Sequence, residues 1–223
     1  MDNYTKAINQ LKEQEKTNSS YLKLGESSKN LVVSFGHIAH GGFASKTSLL
    51  KLKYIENKSI DMLYLRDVKK EWYLGSLMEI GNEIKDTINF LQDQIKTYKY
   101  VHCIGSSMGG YASILFGSIL NAENVVANMP QTDLLYLNDN AEINSLDSIR
   151  KKNIEVWQQY QNLDNHINKT TNYIVLFPRK YNKEHEKVLH GELHYDNVKH
   201  HKNIVRKYNS DFNTEVANLF ALN

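Results

Sequence analysis

Gly105, Ser107 and Gly109 stand two residues apart within the run Tyr100 to Ser113, YVHCIGSSMGGYAS, a spacing that suits a serine used as a nucleophile. Val101, Cys103 and Ile104 read as a strand entering Gly105-Ser106-Ser107-Met108-Gly109, and Tyr111 to Leu120 read as a helix leaving it. G-x-S-x-G between a strand and a helix is the context of a nucleophile elbow. Such a turn holds its central serine in a strained conformation, so the positions two before and two after it must lack bulk, which glycine supplies. Ser107 Oγ then stands exposed at the carboxyl edge of a sheet, with the Met108 N–H aimed at a developing oxyanion. Without chemistry, the same residues read as a glycine-rich turn whose serine caps the helix.

A serine hydroxyl attacks once a base takes its proton, so a histidine must reach Ser107. In elbow enzymes the partners follow in the order serine, acid, histidine, and Ile204 to Leu222 reads as a closing helix directly preceded by His200 and His201. His200 is the preferred base and His201 the alternative, because sequence neighbours cannot both point at one hydroxyl. The acid belongs in a loop after a late strand, where it fixes the imidazole tautomer. Glu184, after the short strand Tyr173 to Phe177, ranks first; Asp133, after Val125 to Met129, ranks second. Asp196 lies too near His200 along one segment, and a serine–histidine dyad is a further option. The second oxyanion donor is expected from Gly36-His37, just past the strand Leu31 to Phe35. His37 and His40 border the glycine-rich loop Gly36 to Ser45, a wall for substrate. Arg66-Asp67 and Trp72-Tyr73 fall near the end of the strand Ile60 to Leu65, where they shape the pocket or Asp67 pairs with Arg66. Arg66, Arg179 and Lys180 are the cations near strand ends that could meet a phosphate.

The elements that must position these groups alternate between strand and helix. Tyr4 to Lys16 is a polar helix in a peripheral segment, residues 1–20. Tyr21 to Leu24 and Leu31 to Phe35 read as a hairpin joined across Gly25 to Asn30. Leu77, Ile80, Ile84, Ile88, Leu91 and Ile95 form a helical apolar stripe, and a second helical stretch covers Ile143 to Tyr160. The expected architecture is one α/β domain spanning residues 1–223, with a mostly parallel sheet, helices on both faces and little or no lid. Active residues then belong at the carboxyl ends of the strands.

Composition narrows the partners. A net charge of +2, with Lys and Glu interspersed, gives no case for nucleic acid. No apolar run approaches a membrane span and the first twenty residues are polar, so the expectation is a cytoplasmic protein without a signal peptide. The lone Cys103 fits a reducing compartment and reads as a core residue. His185 and His190 look like a zinc helix motif but are spaced by five, which separates them on a helix, so no metal is expected.

Ile104 to Ala112, Leu115-Phe116-Gly117 and Met129-Pro130-Gln131-Thr132 resemble a branch of the α/β-hydrolase superfamily found in bacterial surface-glycan gene clusters. Leu31 to Phe35 and Leu65-Arg66-Asp67 with Trp72-Tyr73 are similar to it too. The branch includes capsule O-acetyltransferases and relatives of an accessory secretion component, and the resemblance covers about residues 20 to 135. It implies a Ser–Asp–His triad with Ser107 as nucleophile and His200 as base, although Tyr181-Asn182-Lys183-Glu184 stands where the branch carries its Asp. It further implies O-acetylation of a bacterial surface or capsular polysaccharide through an acyl-enzyme, with acetyl-CoA as co-substrate and no tightly bound cofactor. A carboxylesterase or deacetylase acting on a small ester is the first alternative, and a non-catalytic glycan- or partner-binding protein the second.

Overall fold

The computed structural model describes residues 2–17, 19–38, 42–75, 77–136, 140–177, 198–208 and 210–221. The chain runs α1 (Asn3–Glu15), β1 (Tyr21–Leu24), β2 (Asn30–Phe35), α2 (Lys46–Tyr54), β3 (Asp61–Leu65), α3 (Ile84–Ile95), β4 (Tyr100–Ser106), α4 (Met108–Ile119) and β5 (Asn124–Asn128). It continues through α5 (Asn140–Lys152), α6 (Ile154–Tyr160), β6 (Asn172–Phe177), β7 (Ile204–Tyr208) and α7 (Phe212–Asn218). The strands form one sheet in the order β1-β3-β2-β4-β5-β6-β7, parallel except for β1, which runs antiparallel to β3. The expected mostly parallel α/β sheet is therefore present, and it is open.

Alternation along the strands divides the core in two. Leu31, Val33, Phe35, Cys103, Val125 and Val175 face α3, α4 and α6, while Val32, Met62, Ile104, Val126 and Leu176 face α1, α2 and α7. Side chains two apart share a face of a strand, so near-continuous apolar runs are what a sheet covered on both sides requires. Asn153 separates α5 from α6, its side chain accepting from the Val156 N–H at 3.1 Å. The single helical stretch expected there is two helices.

Two other expectations are corrected. The residues read as a hairpin do not pair with each other: β3 lies between β1 and β2. Gly25, at φ 89°, turns the chain over the start of β3, where a Cβ would stand 2.2 Å from Asp61 Oδ1, and the Ser28 N–H donates to Asp61 Oδ2 at 2.9 Å. The residues read as one closing helix are a strand followed by a helix. Ile204–Tyr208 adds to β6 as a parallel edge strand, and Asp211 starts α7 by accepting from the Thr214 N–H at 2.9 Å.

Candidate active site

From β2 the chain crosses to β3 on one side and then to β4 on the other, so the strand order reverses between β2 and β4. In open α/β sheets the crevice at the carboxyl ends of such strands is where ligands bind. Phe35 is paired with Gly105 at the ends of these two strands, and the residues that follow each pair member are Gly36-His37 and Ser106-Ser107.

Ser107 has φ 54° and ψ −122°, a conformation that costs a non-glycine residue on the order of 1–3 kcal/mol and persists only where its surroundings impose it. The surroundings are visible. The Ser107 N–H donates to the Asn128 carbonyl at 2.9 Å. A Cβ on Gly105 would lie 2.0 Å from the Gly109 carbonyl oxygen, and one on Gly109 would lie 2.3 Å from the Phe35 carbonyl oxygen. Strand and helix approach so closely that both positions need glycine. The Met108 N–H is among the first of α4, which have no acceptor within the helix and sit at its positive end.

Ser107 Oγ accepts a hydrogen bond from Gln131 Nε2 at 3.2 Å, a partner the sequence did not point to. Pro130 packs against Gly110, whose added Cβ would lie 3.1 Å from Pro130 Cα, and this fixes the direction of Gln131. Ser106 faces the α1/α2/α7 side and its Oγ accepts from Asn128 Nδ2 at 3.0 Å. A cavity of about 640 Å³ opens there, lined by His37, Lys46, Arg66, Ser106, Asn128 and Phe212 among others. It adjoins Ser106, next to the proposed nucleophile and at the same edge of the sheet.

The loop that carries His37 is supported from the segment after β3. The Tyr73 hydroxyl donates to the Gly36 carbonyl at 3.0 Å, and the Tyr73 N–H donates to Asp67 Oδ2 at 2.9 Å. Trp72 and Tyr73 both adopt left-handed backbone, φ 55° and 60°, and both are fully buried. Burial, with the Glu71 carboxylate adding to it, pushes the Asp67 carboxyl up to about 6. A folded-state value above the unfolded one means the contribution of Asp67 to stability is fully present below about pH 4 and lost as pH rises through 6. Asp67→Asn removes this dependence. Relative to wild type, the variant should gain about 2–3 kcal/mol between pH 4 and pH 8, measured by urea unfolding at both values. An equal difference at the two pH values would refute the assignment.

Other candidates are placed differently from expectation. The Gly36 N–H donates to the Leu65 carbonyl at 2.9 Å, which removes Gly36 as an oxyanion donor. Arg66 grips the carboxyl end of α1: its Nε donates to Ser19 O at 2.7 Å and its Nη2 to Thr17 O at 2.6 Å. Asp133 accepts from the Leu135 N–H and from Asn162 Nδ2, each at 2.9 Å, contacts that fasten the segment after β5. Glu184, Arg179, Lys180, His40, His185, His190 and Asp196 lie outside the described residues.

His200 and His201 require a correction. They precede β7, and Ile204 is paired with Tyr173 near the start of β6. Both histidines therefore stand at the amino edge of the sheet, three strands over from β4 and on the order of 20 Å from Ser107. Neither reaches the serine. His102 sits at the start of β4, buried, its imidazole pushed down to about 4 by desolvation. Among the described histidines, His37 alone stands at the carboxyl edge.

No family profile and no curated protein sequence matches this chain. Solved structures do. The capsule O-acetyltransferase of Neisseria meningitidis serogroup A aligns with TM-score 0.59 at 17% identity, over 90% of this chain and 90% of that one. The fold is α/β-hydrolase-like. An S-formylglutathione hydrolase from Agrobacterium tumefaciens aligns with TM-score 0.54 at 10% identity, over 86% of this chain and 80% of that one. A chain of the glycosylation-associated Gap123 complex of Streptococcus agalactiae aligns with TM-score 0.55 at 15% identity, over 90% of this chain; this chain spans only 42% of that one. Another structure of the capsule O-acetyltransferase holds CoA. Among the described residues, no helix is long and apolar enough to cross a membrane.

Proposed function

We propose that this protein catalyses serine-dependent acyl transfer, moving acetyl from acetyl-CoA to a hydroxyl of a bacterial surface or capsular polysaccharide. The observation that carries the reading is the strained Ser107 at the carboxyl edge, at the point where the strand order reverses. In the proposal Ser107 Oγ attacks the thioester carbonyl while a base takes its proton. The oxyanion rests on the N–H groups of Met108 and His37, and the tetrahedral intermediate expels the CoA thiol, which receives that proton. A sugar hydroxyl then attacks the acyl-enzyme, gives its proton to the same base and restores Ser107. The cavity beside Ser106 suits an acceptor sugar better than CoA phosphates. Its Lys46 is already paired with Glu15 at 2.6 Å, and Ser106 and Asn128 offer uncharged hydrogen-bonding groups.

His37 is the proposed base. It and Ser107 each lie two residues past the matched pair Phe35 and Gly105. Glu184, with Asp133 second, stays the proposed acid on its place in the chain. Loss of a general base costs roughly 10²-fold or more. His37→Ala should therefore slow fluorophosphonate labelling of Ser107 by at least that factor, while His200→Ala and His201→Ala stay within about twofold of wild type. Normal labelling of His37→Ala would move the base elsewhere. Release of CoA from acetyl-CoA should accelerate when the acceptor oligosaccharide is added. Brisk turnover of p-nitrophenyl esters without any reaction of acetyl-CoA would make the protein an esterase.

The Gln131 hydrogen bond to Ser107 favours a second reading, a non-catalytic glycan-binding protein, because a carboxamide cannot take up the serine proton. Glycan binding without labelling of Ser107 would establish it.

A further inference from the structure

His200 and His201, displaced from the serine, meet a carboxylate instead. His201 Nε2 lies 2.8 Å and His200 Nε2 3.3 Å from the same oxygen, Asp164 Oδ1, and the two imidazole rings are 4.2 Å apart between centroids. We propose that Asp164, His200 and His201 form a divalent transition-metal site, suited to zinc, that fastens the start of β7 to the segment before β6.

Three observations support this. The donor set is two imidazoles and one carboxylate, the borderline nitrogen and oxygen ligands that zinc accepts, with a fourth position left for water. The separations fit: ligand atoms about 2.0–2.1 Å from a tetrahedral ion lie about 3.3 Å from one another. The three ligand atoms fall within 4.8 Å of each other, so small side-chain adjustments complete the geometry. The donors are also held in place before any ion arrives. Val198, two residues ahead of His200, is fully buried, and its carbonyl accepts from the His201 N–H at 3.2 Å. Just beyond them, Asn203 Nδ2 donates to the Asn168 and Thr171 carbonyls, each at 2.7 Å. On the other side, the Asp164 N–H donates to Asn162 Oδ1 at 2.9 Å, and Leu163 is fully buried. His166, in the same turn as Asp164, is turned away and bonded to the Gln159 carbonyl at 2.8 Å. Asp164 and His201 are half-buried while His200 is exposed, so the site is open for an ion to enter from solvent.

The assignment is independent of the acyl-transfer chemistry, since the cluster and Ser107 occupy opposite edges of the sheet. An ion here joins two segments 36 or more residues apart in sequence and bears on β7, the edge strand with least burial.

Calorimetric titration of the metal-free chain with zinc chloride should show one ion per chain and a rise in melting temperature. Asp164→Asn, which keeps the shape of the side chain, and His201→Ala should each weaken binding at least tenfold and abolish the rise. Ser107→Ala, and a variant with alanine at His185, His190 and His194, should bind as wild type does. No binding by the wild type, unchanged binding in Asp164→Asn and His201→Ala, or loss of binding in the His185, His190 and His194 variant would each overturn the site and leave the cluster a set of hydrogen bonds.

Discussion

Ser107→Ala should abolish fluorophosphonate labelling and acyl transfer, and Ser106→Ala should leave labelling intact. Removing an enzyme's nucleophile commonly lowers the rate by about 10⁶-fold in serine hydrolases, which in a labelling assay reads as none. Ser107→Gly should be equally inactive but should unfold at higher temperature. Its backbone would occupy φ 54° and ψ −122° without the clash a Cβ suffers there. Relief of strain, less the added freedom of glycine in the unfolded chain, leaves a gain of about 1 kcal/mol, or about 2–4 °C in a chain this long. Ser107→Ala keeps the Cβ and should not show that gain. A melting point for Ser107→Gly at or below wild type would mean that the elbow is not strained, and with it would go the main support for a nucleophile.

Gly109→Ala should be strongly destabilising. The added methyl would meet Phe35 O at 2.3 Å and Gly36 O at 2.9 Å. Both are backbone atoms, at the end of β2 and in the loop just past it, so no rotamer change relieves the contact. Gly105→Ala is similar, with Gly109 O at 2.0 Å. Overpacking of this kind costs about 3 kcal/mol or more, a fall of roughly 6–12 °C in melting temperature. Gly117, whose added Cβ would meet a side-chain atom, Val125 Cγ2, at 2.4 Å, is the natural comparison. Its alanine variant should lose less, because a rotamer can move. Equal losses at Gly109 and Gly117 would show that backbone contact at the elbow is not what demands glycine.

The elbow was legible because its constraint is local: the glycines, the serine and the flanking elements all lie within a dozen residues. The position of β3 between β1 and β2 was not, since two apolar runs joined by a glycine turn look alike whether they pair directly or admit a third strand from farther along the chain. The end of the chain was misread for a different reason. Ile204, Tyr208, Phe212 and Val216 recur every four residues, the spacing of a helical stripe, yet they belong to an edge strand, a turn and a short helix. Val205, Arg206 and Tyr208 are exposed on β7, so the strand lacks the alternation that would have marked it. A helix there would place His200 and His201 at the carboxyl edge of the sheet; the strand places them at the amino edge. Gln131 belongs to a run that carries the resemblance, but nothing in a polar residue after a proline signals that it reaches back to Ser107. The Asp67, Trp72 and Tyr73 cluster was visible as residue types, but its work of bracing the Gly36 carbonyl depends on two consecutive left-handed residues that no composition reveals.

Arg66 gives the amino-terminal helix a mechanical role. Its guanidinium holds the carbonyls of Gln14, Glu15 and Thr17, while its backbone N–H donates to Ser20 O at 2.8 Å. Glu15 in turn receives the Phe43 N–H at 2.9 Å and Lys46 Nζ at 2.6 Å. The next residue after Arg66 is Asp67, which braces Tyr73 and through it the His37 loop. A tether or partner that pulls on α1 therefore has a short, bonded lever on the cavity wall and on the loop facing Ser107. A pull on α1 would be felt first at the carboxyl edge of the sheet, beside Ser107, rather than at the far strands.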